Sequence, residues 1–162
     1  MSQSYLIALG SNMHHRLYGS PHQVVRAAME ELSALGTVTA RSPIITSDAM
    51  GAAQRRFANA ACTLDSELAP PAMLDGVKRI EREFGRRGSR RWGDRVLDCD
   101  IILWSGGRWR SRVLTIPHRE LRNRAFVLTP ASAIAPNWRD PVTGANLRQL
   151  KARLTKGSAL PR

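Results

Sequence analysis

Two segments with helical spacing stand between strand-like runs, and this order constrains the fold more than any other feature of the chain. In the first, Val24, Val25, Ala28, Leu32 and Leu35 recur behind Ser20-Pro21, an N-cap with proline at the first helical position, and Gly36 stops the run. In the second, Pro70-Pro71 opens a helix carrying Met73, Leu74, Val77, Ile80 and Phe84 on one face and ending at Gly85. Strands are predicted at Tyr5–Leu9, closed by Gly10-Ser11-Asn12, at Val38–Ser47 and at Phe57–Leu64. A fourth, Leu97–Trp104, turns at Ser105-Gly106-Gly107 into Trp109–Leu114 as its hairpin partner. Asp48–Arg55 and Arg86–Arg95 read as loops, followed by short helices near Arg124–Ala133 and Leu147–Leu154 around a turn-rich stretch at 136–144. The order β-α-β-β-α-β plus a hairpin implies an α+β protein: a ferredoxin-like α/β sandwich, mainly antiparallel sheet with helices packed on it. Without a repeat or linker, residues 1–162 are expected to form a single domain.

A chain of 162 residues buries enough surface to fold without a disulfide or structural metal. Cys62 and Cys99 sit inside apolar strand-like runs, so both are expected as buried thiols in a reducing cytoplasm. No run approaches the ~20 apolar residues of a membrane span. The N-terminal MSQSYLIALGSN does not read as a signal peptide, so the expected location is cytoplasmic, with no membrane partner. The charge is strongly positive, 25 basic against 13 acidic residues, and only Lys78, Lys151 and Lys156 are lysine. Arginine forks match phosphate oxygens bidentately, so the balance favours a phosphate-bearing ligand.

Leu97-Asp98-Cys99-Asp100-Ile101-Ile102-Leu103 is the sharpest local signal. In a strand Asp98 and Asp100 share one face, their Cα atoms ~6.6 Å apart, while Leu97, Cys99, Ile101 and Leu103 take the other. Two carboxylates held so close repel unless a cation lies between them, and oxygen-only ligands with room for water and phosphate suit Mg²⁺. Arg86, Arg87, Arg90, Arg91 and Arg95 precede the pair, and His118 and Arg124 follow it. Carboxylates beside an arginine-rich loop are what a polyphosphate needs. Trp92 inside that loop could stack on a ring or close a lid. Asn59, polar in an apolar strand, could read the edge of a flat heterocycle.

Together these residues resemble the 6-hydroxymethyl-7,8-dihydropterin pyrophosphokinase family of folate synthesis. The likeness runs from Ala8-Leu9-Gly10-Ser11-Asn12 through Phe57-Ala58-Asn59-Ala60-Ala61, Arg79-Ile80-Glu81 and Arg91-Trp92-Gly93-Asp94-Arg95-Val96-Leu97-Asp98-Cys99-Asp100-Ile101. It continues through Leu114-Thr115-Ile116-Pro117-His118, Arg124-Ala125-Phe126-Val127-Leu128 and Pro141-Val142-Thr143-Gly144. The resemblance implies that Asp98 and Asp100 bind two Mg²⁺ ions, and that Arg86 and Arg95, in a mobile loop, close over the phosphates with Trp92. It implies that Glu81, His118 and Arg124 contact ATP, the co-substrate, and that Ile101 and Thr115 help hold its adenosine. Phe57 and Phe126 would sandwich the pterin, with Asn59 and groups near Ser42, Pro43 and Ile45 reading its edge. The pterin hydroxyl would attack the β-phosphorus and AMP would leave. The implied partners are these small molecules alone, on a monomer without nucleic acid.

The chain departs from the family pattern at Asp94, beside Arg95, where the family usually carries proline or a small residue. Further departures are Cys99 between the aspartates, Lys78, Val113, and a loop at 86–91 one residue short. Two alternatives follow: a paralogue that binds pterin and ATP with little turnover, and a basic ferredoxin-like RNA-binding module. Against the second, Asp98 and Asp100 would repel phosphates from the sheet face such modules use.

Overall fold

The run Tyr5-Leu6-Ile7 has no accessible surface on any of its three side chains, so the strand that contains it is covered on both faces. The computed structural model describes residues 2–48, 56–88 and 96–159. Within them this strand, β1 (Gln3–Ser11), lies at the centre of a five-stranded sheet with β2 (Thr37–Arg41), β3 (Ile45–Asp48), β4 (Arg56–Ser66) and β5 (Asp98–Trp104). The order is β2-β4-β1-β5, with β3 also on β4, and every pairing is antiparallel. This is the expected ferredoxin-like arrangement.

Helices α1 (Pro21–Glu31) and α2 (Pro70–Gly88) cover one face, where Val24, Val77 and Phe84 meet Ile7, Leu9, Cys62, Cys99 and Ile101. The first helix starts as its sequence dictates: Ser20 and Gln23 exchange hydrogen bonds in a capping box. Helices α3 (Ala125–Ile134) and α4 (Leu147–Ala159) cover the other face, where Leu128, Ala131 and Leu147 meet Leu6, Ala61, Ile102 and Leu103. Each fully buried Leu, Ile or Phe contributes roughly 1.5–3 kcal/mol, so both layers hold the sheet.

Four local expectations change, each for a physical reason. The predicted strand at 38–47 is two strands. Pro43 has no N–H for the ladder, and the Ser42 hydroxyl takes the Ala61 N–H at 2.8 Å instead. The helix predicted to end at Gly85 continues to Gly88, since one glycine costs only ~1 kcal/mol and good helix formers follow it. Arg86 and Arg87 are therefore on the last turn of α2, not in a loop. The buried His15 ring bridges to this end of the helix, its Nε2 3.0 Å from the Phe84 carbonyl, while Nδ1 accepts from Leu17 N.

The third change concerns Trp109–Leu114, which does not pair with β5. Strand β6 (Trp109–Arg110) pairs with β7 (Thr115–Ile116) in a separate ribbon, held to the main sheet by the edge-on contact of Trp109 with Trp104. The fourth is a bulge at Ile102: Leu6 faces Leu103 while Ile7 faces Ile101. The extra residue flips the alternation, so Leu103 joins the α3–α4 side rather than the face of Cys99 and Ile101.

Candidate functional site

Asp98 and Asp100 fall before the bulge and keep the predicted alternation. Cys99 is buried between them, Asp98 is exposed and Asp100 is half-buried on the face that α3 and α4 cover further along. The register extends this face sideways. Ile45 pairs with Asn59, Asn59 with Gly10 and Gly10 with Asp98, a row across four strands; the next row is Ala61, Ala8 and Asp100. Strands sit ~4.8 Å apart, so Asn59 and Asp98 are about 10 Å apart across the row. Phe57, two residues from Asn59, takes the same face. Positions 8 and 10 in the middle of this shelf carry only alanine and glycine.

Asn59 is buried at 5% exposure and folds over Gly10: a Cβ at Gly10 would stand 2.8 Å from Asn59 Oδ1. The bareness of Gly10, read from sequence as a turn signal, makes room for the amide. Beside this row Ser42 is buried, and its hydroxyl is spent on Ala61 N and its neighbour's carbonyl. Between Arg41 opposite Cys62 and Ile45 opposite Asn59, three residues face two, so the Pro43–Ile44 backbone leaves the ladder next to Asn59. At the N-terminus of α3, which packs over β4, β1 and β3, Phe126 is 40% exposed, and the Arg124 guanidinium lies 5.5 Å from its ring centroid.

Against the outer edge of β5 lies a cavity of about 350 Å³. Its apolar wall includes Leu74, Ile101 and Leu114, and its polar groups include Lys78, Asp100, Thr115 and His118. That volume falls in the range of small-molecule sites, roughly 300–1,000 Å³. Ile101, Thr115 and His118 are thus brought together, and Asp100 belongs both to the cavity and to the face that carries Asn59. Arg112 and Arg119 also line the cavity; neither stood out in the sequence, because no periodicity marks a loop residue that faces a pocket.

His118 is fixed at two points: its backbone N–H donates to the Ile102 carbonyl at 3.0 Å, and its ring Nδ1 accepts from Glu120 N at 3.1 Å. Burial pushes its pKa down and Arg124 adds to this, against Asp100 and Glu120. The neutral ring therefore carries its proton on Nε2. Glu81 is engaged within the protein: Oε2 accepts from Cys99 N at 2.7 Å, and Oε1 pairs with Lys78 Nζ at 3.1 Å. Burial raises its pKa, the Cys99 N–H and Lys78 oppose this, and Asp100 adds to the rise. Arg95, Trp92 and Asp94 lie outside the described residues, as does the side chain of Arg86.

Among the described residues no three His, Cys, Asp or Glu side chains cluster as a metal cage. Asp98 and Asp100 alone fit Mg²⁺, which keeps waters and binds through one or two carboxylates plus substrate phosphates. No described helix is long and apolar enough to cross a membrane.

The family model described as 7,8-dihydro-6-hydroxymethylpterin-pyrophosphokinase matches residues 6–136. The chain is 39% identical over 155 residues to a 2-amino-4-hydroxy-6-hydroxymethyldihydropteridine pyrophosphokinase of Pseudomonas aeruginosa, covering 94% of this chain and 92% of the relative. It is 37% identical to the protein of the same name from Methylorubrum extorquens, covering 95% and 94%. In solved structures, HPPK-DHPS of Plasmodium falciparum superposes with a TM-score of 0.71 at 12% identity, over 96% of this chain and 45% of that one. That likeness bears on the fold alone, and this chain spans under half the length of the solved protein.

Proposed function

The chain belongs to the 7,8-dihydro-6-hydroxymethylpterin-pyrophosphokinase family, and we propose that it transfers pyrophosphate from ATP to 6-hydroxymethyl-7,8-dihydropterin in folate synthesis. The observation that carries the reading is the double membership of Asp100. It lines the edge cavity with Ile101, Thr115 and His118, and it shares a sheet face with Asp98, Gly10 and Asn59. A nucleotide seated in the cavity and a pterin on the shelf would meet at the aspartates.

In this reading Ile101, Leu74 and Leu114 hold the adenine against an apolar wall, and Thr115 and neutral His118 offer donors to the sugar and phosphates. Asp98 and Asp100 hold two Mg²⁺ ions, which when bound neutralise the triphosphate and fix its orientation. Asn59 presents both donor and acceptor to the pterin edge, with the freed backbone near Ser42, Pro43 and Ile45 beside it. Phe57 and Phe126 supply ring faces, each stacked pair being worth about 1 kcal/mol beyond burial. The pterin hydroxyl oxygen bonds to the β-phosphorus and gives its proton to solvent, the bond from that phosphorus to the α-bridging oxygen breaks, and AMP leaves with the electron pair. Arg124, Arg86 and Arg95, with Trp92, are assigned to the charge that develops on the phosphates. Glu81 meets the nucleotide from its place against β5.

The purified protein with Mg-ATP and the pterin alcohol is expected to release AMP and pterin diphosphate in equal amounts. Release of ADP, or no AMP above background, would overturn the reading.

A further inference from the structure

β5 is an edge strand: β1 pairs with one side of it, and the other side faces the cavity. Unpaired backbone groups on such an edge leave a strand free to shift. Among the described residues, two hydrogen bonds reach the outer side on either side of Asp100. The His118 N–H donates to the Ile102 carbonyl at 3.0 Å, and the Cys99 N–H donates to Glu81 Oε2 at 2.7 Å. Glu81 reaches across from α2, 18 residues earlier, and only 10% of its side chain is exposed. Its second oxygen is held by Lys78 at 3.1 Å, one turn back on the same helix, so the carboxylate is oriented before it meets the strand. The amide it takes belongs to the residue between the two aspartates.

We infer that Glu81 is a positioning residue, whose carboxylate oxygen locks the Cys99 amide and thereby sets the spacing and aim of Asp98 and Asp100. This rests on the reading of those aspartates given above. It assigns the work of Glu81 to accepting one backbone hydrogen bond at a fixed reach from the helix, not to its charge or to contact with ATP. Sub-ångström placement of groups that bind a polyphosphate governs rate more than affinity, so the effect should fall on kcat.

Two near-isosteric variants separate reach from charge. Glu81→Gln keeps an oxygen at the same reach and drops the charge; Glu81→Asp keeps the charge and withdraws the oxygen by one methylene. Amide hydrogen exchange, followed by NMR on ¹⁵N-labelled protein without nucleotide or metal, reads the lock directly. Steady-state kinetics with Mg-ATP reads its consequence. Glu81→Asp is expected to speed exchange of the Cys99 amide at least tenfold, leave the His118 amide within twofold, and lower kcat at least thirtyfold with KM for ATP within threefold. Glu81→Gln keeps the acceptor on Cys99 but turns its NH2 toward Lys78, so it is expected to fall between wild type and Glu81→Asp in both readouts. Cys99 exchange unchanged in Glu81→Asp, or Glu81→Asp more active than Glu81→Gln, would overturn the inference; so would a change confined to KM for ATP. An inactive wild type would instead count against the pyrophosphokinase reading, while the exchange data would still show whether the lock exists.

Discussion

Gly10→Ala is a one-methyl test of the pterin shelf. The new Cβ would stand 2.8 Å from Asn59 Oδ1, and the next atom, the Ala58 carbonyl oxygen, is 3.7 Å away. Ordinary contact begins near 3.4 Å, so the amide oxygen must retreat by about 0.6 Å, while the backbone needs no adjustment. Because Gly10 does not have a positive φ, alanine meets no backbone strain there. The obstruction is the tip of one side chain, and the folding cost should stay near ~1 kcal/mol. Recognition is less forgiving, since a site tolerates displacements of only about 0.5 Å. Two misplaced hydrogen bonds at ~0.5–1.5 kcal/mol each amount to roughly a five- to 150-fold loss in kcat/KM for the pterin. KM for ATP should hold within twofold. The assay is AMP release with each substrate varied in turn, beside a thermal melt. A double-mutant cycle sharpens it: in an Asn59→Ala background Gly10→Ala should be nearly neutral, because the obstructing oxygen is gone. A pterin kcat/KM within twofold of wild type, or equal losses in both backgrounds, refutes the assignment of Asn59.

Asp98→Ala and Asp100→Ala are each expected to leave less than a tenth of wild-type turnover while the melting temperature holds or rises, as removal of a repelling carboxylate allows. Arg95→Ala and Arg86→Ala should lower kcat about a hundredfold, the ~3 kcal/mol typical of one donor to developing charge, with a smaller rise in KM for ATP. Asp140, fully buried, accepts from Arg122 Nε and Nη2 at 2.7 and 2.9 Å, from Val142 N and from Thr143 Oγ1. Asp140→Asn should cost about 3 kcal/mol at pH 7 by leaving the Arg122 guanidinium unpaired. Burial opposes that carboxylate, but Arg122 and the other donors outweigh it and bring its pKa below 3.8. Its stabilisation is therefore present above that value and is lost as pH falls through the lower folded pKa. Denaturation followed from pH 7 downward should show the lead of the wild type over Asp140→Asn beginning to shrink below the ordinary carboxylate pKa and continuing to shrink as the pH falls further.

The fold was legible because its signals are local. The periodicity of Val24, Val25, Ala28 and Leu32, and of Met73, Val77, Ile80 and Phe84, depends only on neighbours along the chain, and all eight side chains are buried. The Asp98–Asp100 alternation was legible for the same reason. Pairing was not. Trp109 looked like a partner for β5 because hairpins are the commonest short connection, but the bulge at Ile102 and the Trp104–Trp109 contact turn the chain into its own ribbon. The role of Gly10 was hidden because it depends on Asn59, 49 residues away, lying in the same row. The resemblance implies an ATP contact for Glu81; its bond to the Cys99 amide is a separate feature that no pattern of side chains announces.

The position of β5 at the sheet edge explains why these late segments matter. A central strand offers a ligand its two faces only; an edge strand offers a face and a side, and Asp100 uses both. An uncovered edge invites pairing with another chain, so it must be guarded without being filled. The β6–β7 ribbon and residues 118–120 make the far wall of the cavity, joined to β5 by the Trp104–Trp109 contact at one end and by the His118 backbone N–H on the Ile102 carbonyl, while Glu81 guards the near end from α2. Had the ribbon paired directly with β5, as the sequence suggested, its strands would have filled the cavity proposed above for the nucleotide. The failed hairpin expectation and the cavity are one structural fact: the ribbon closes on itself, and the space beside Asp100 stays open.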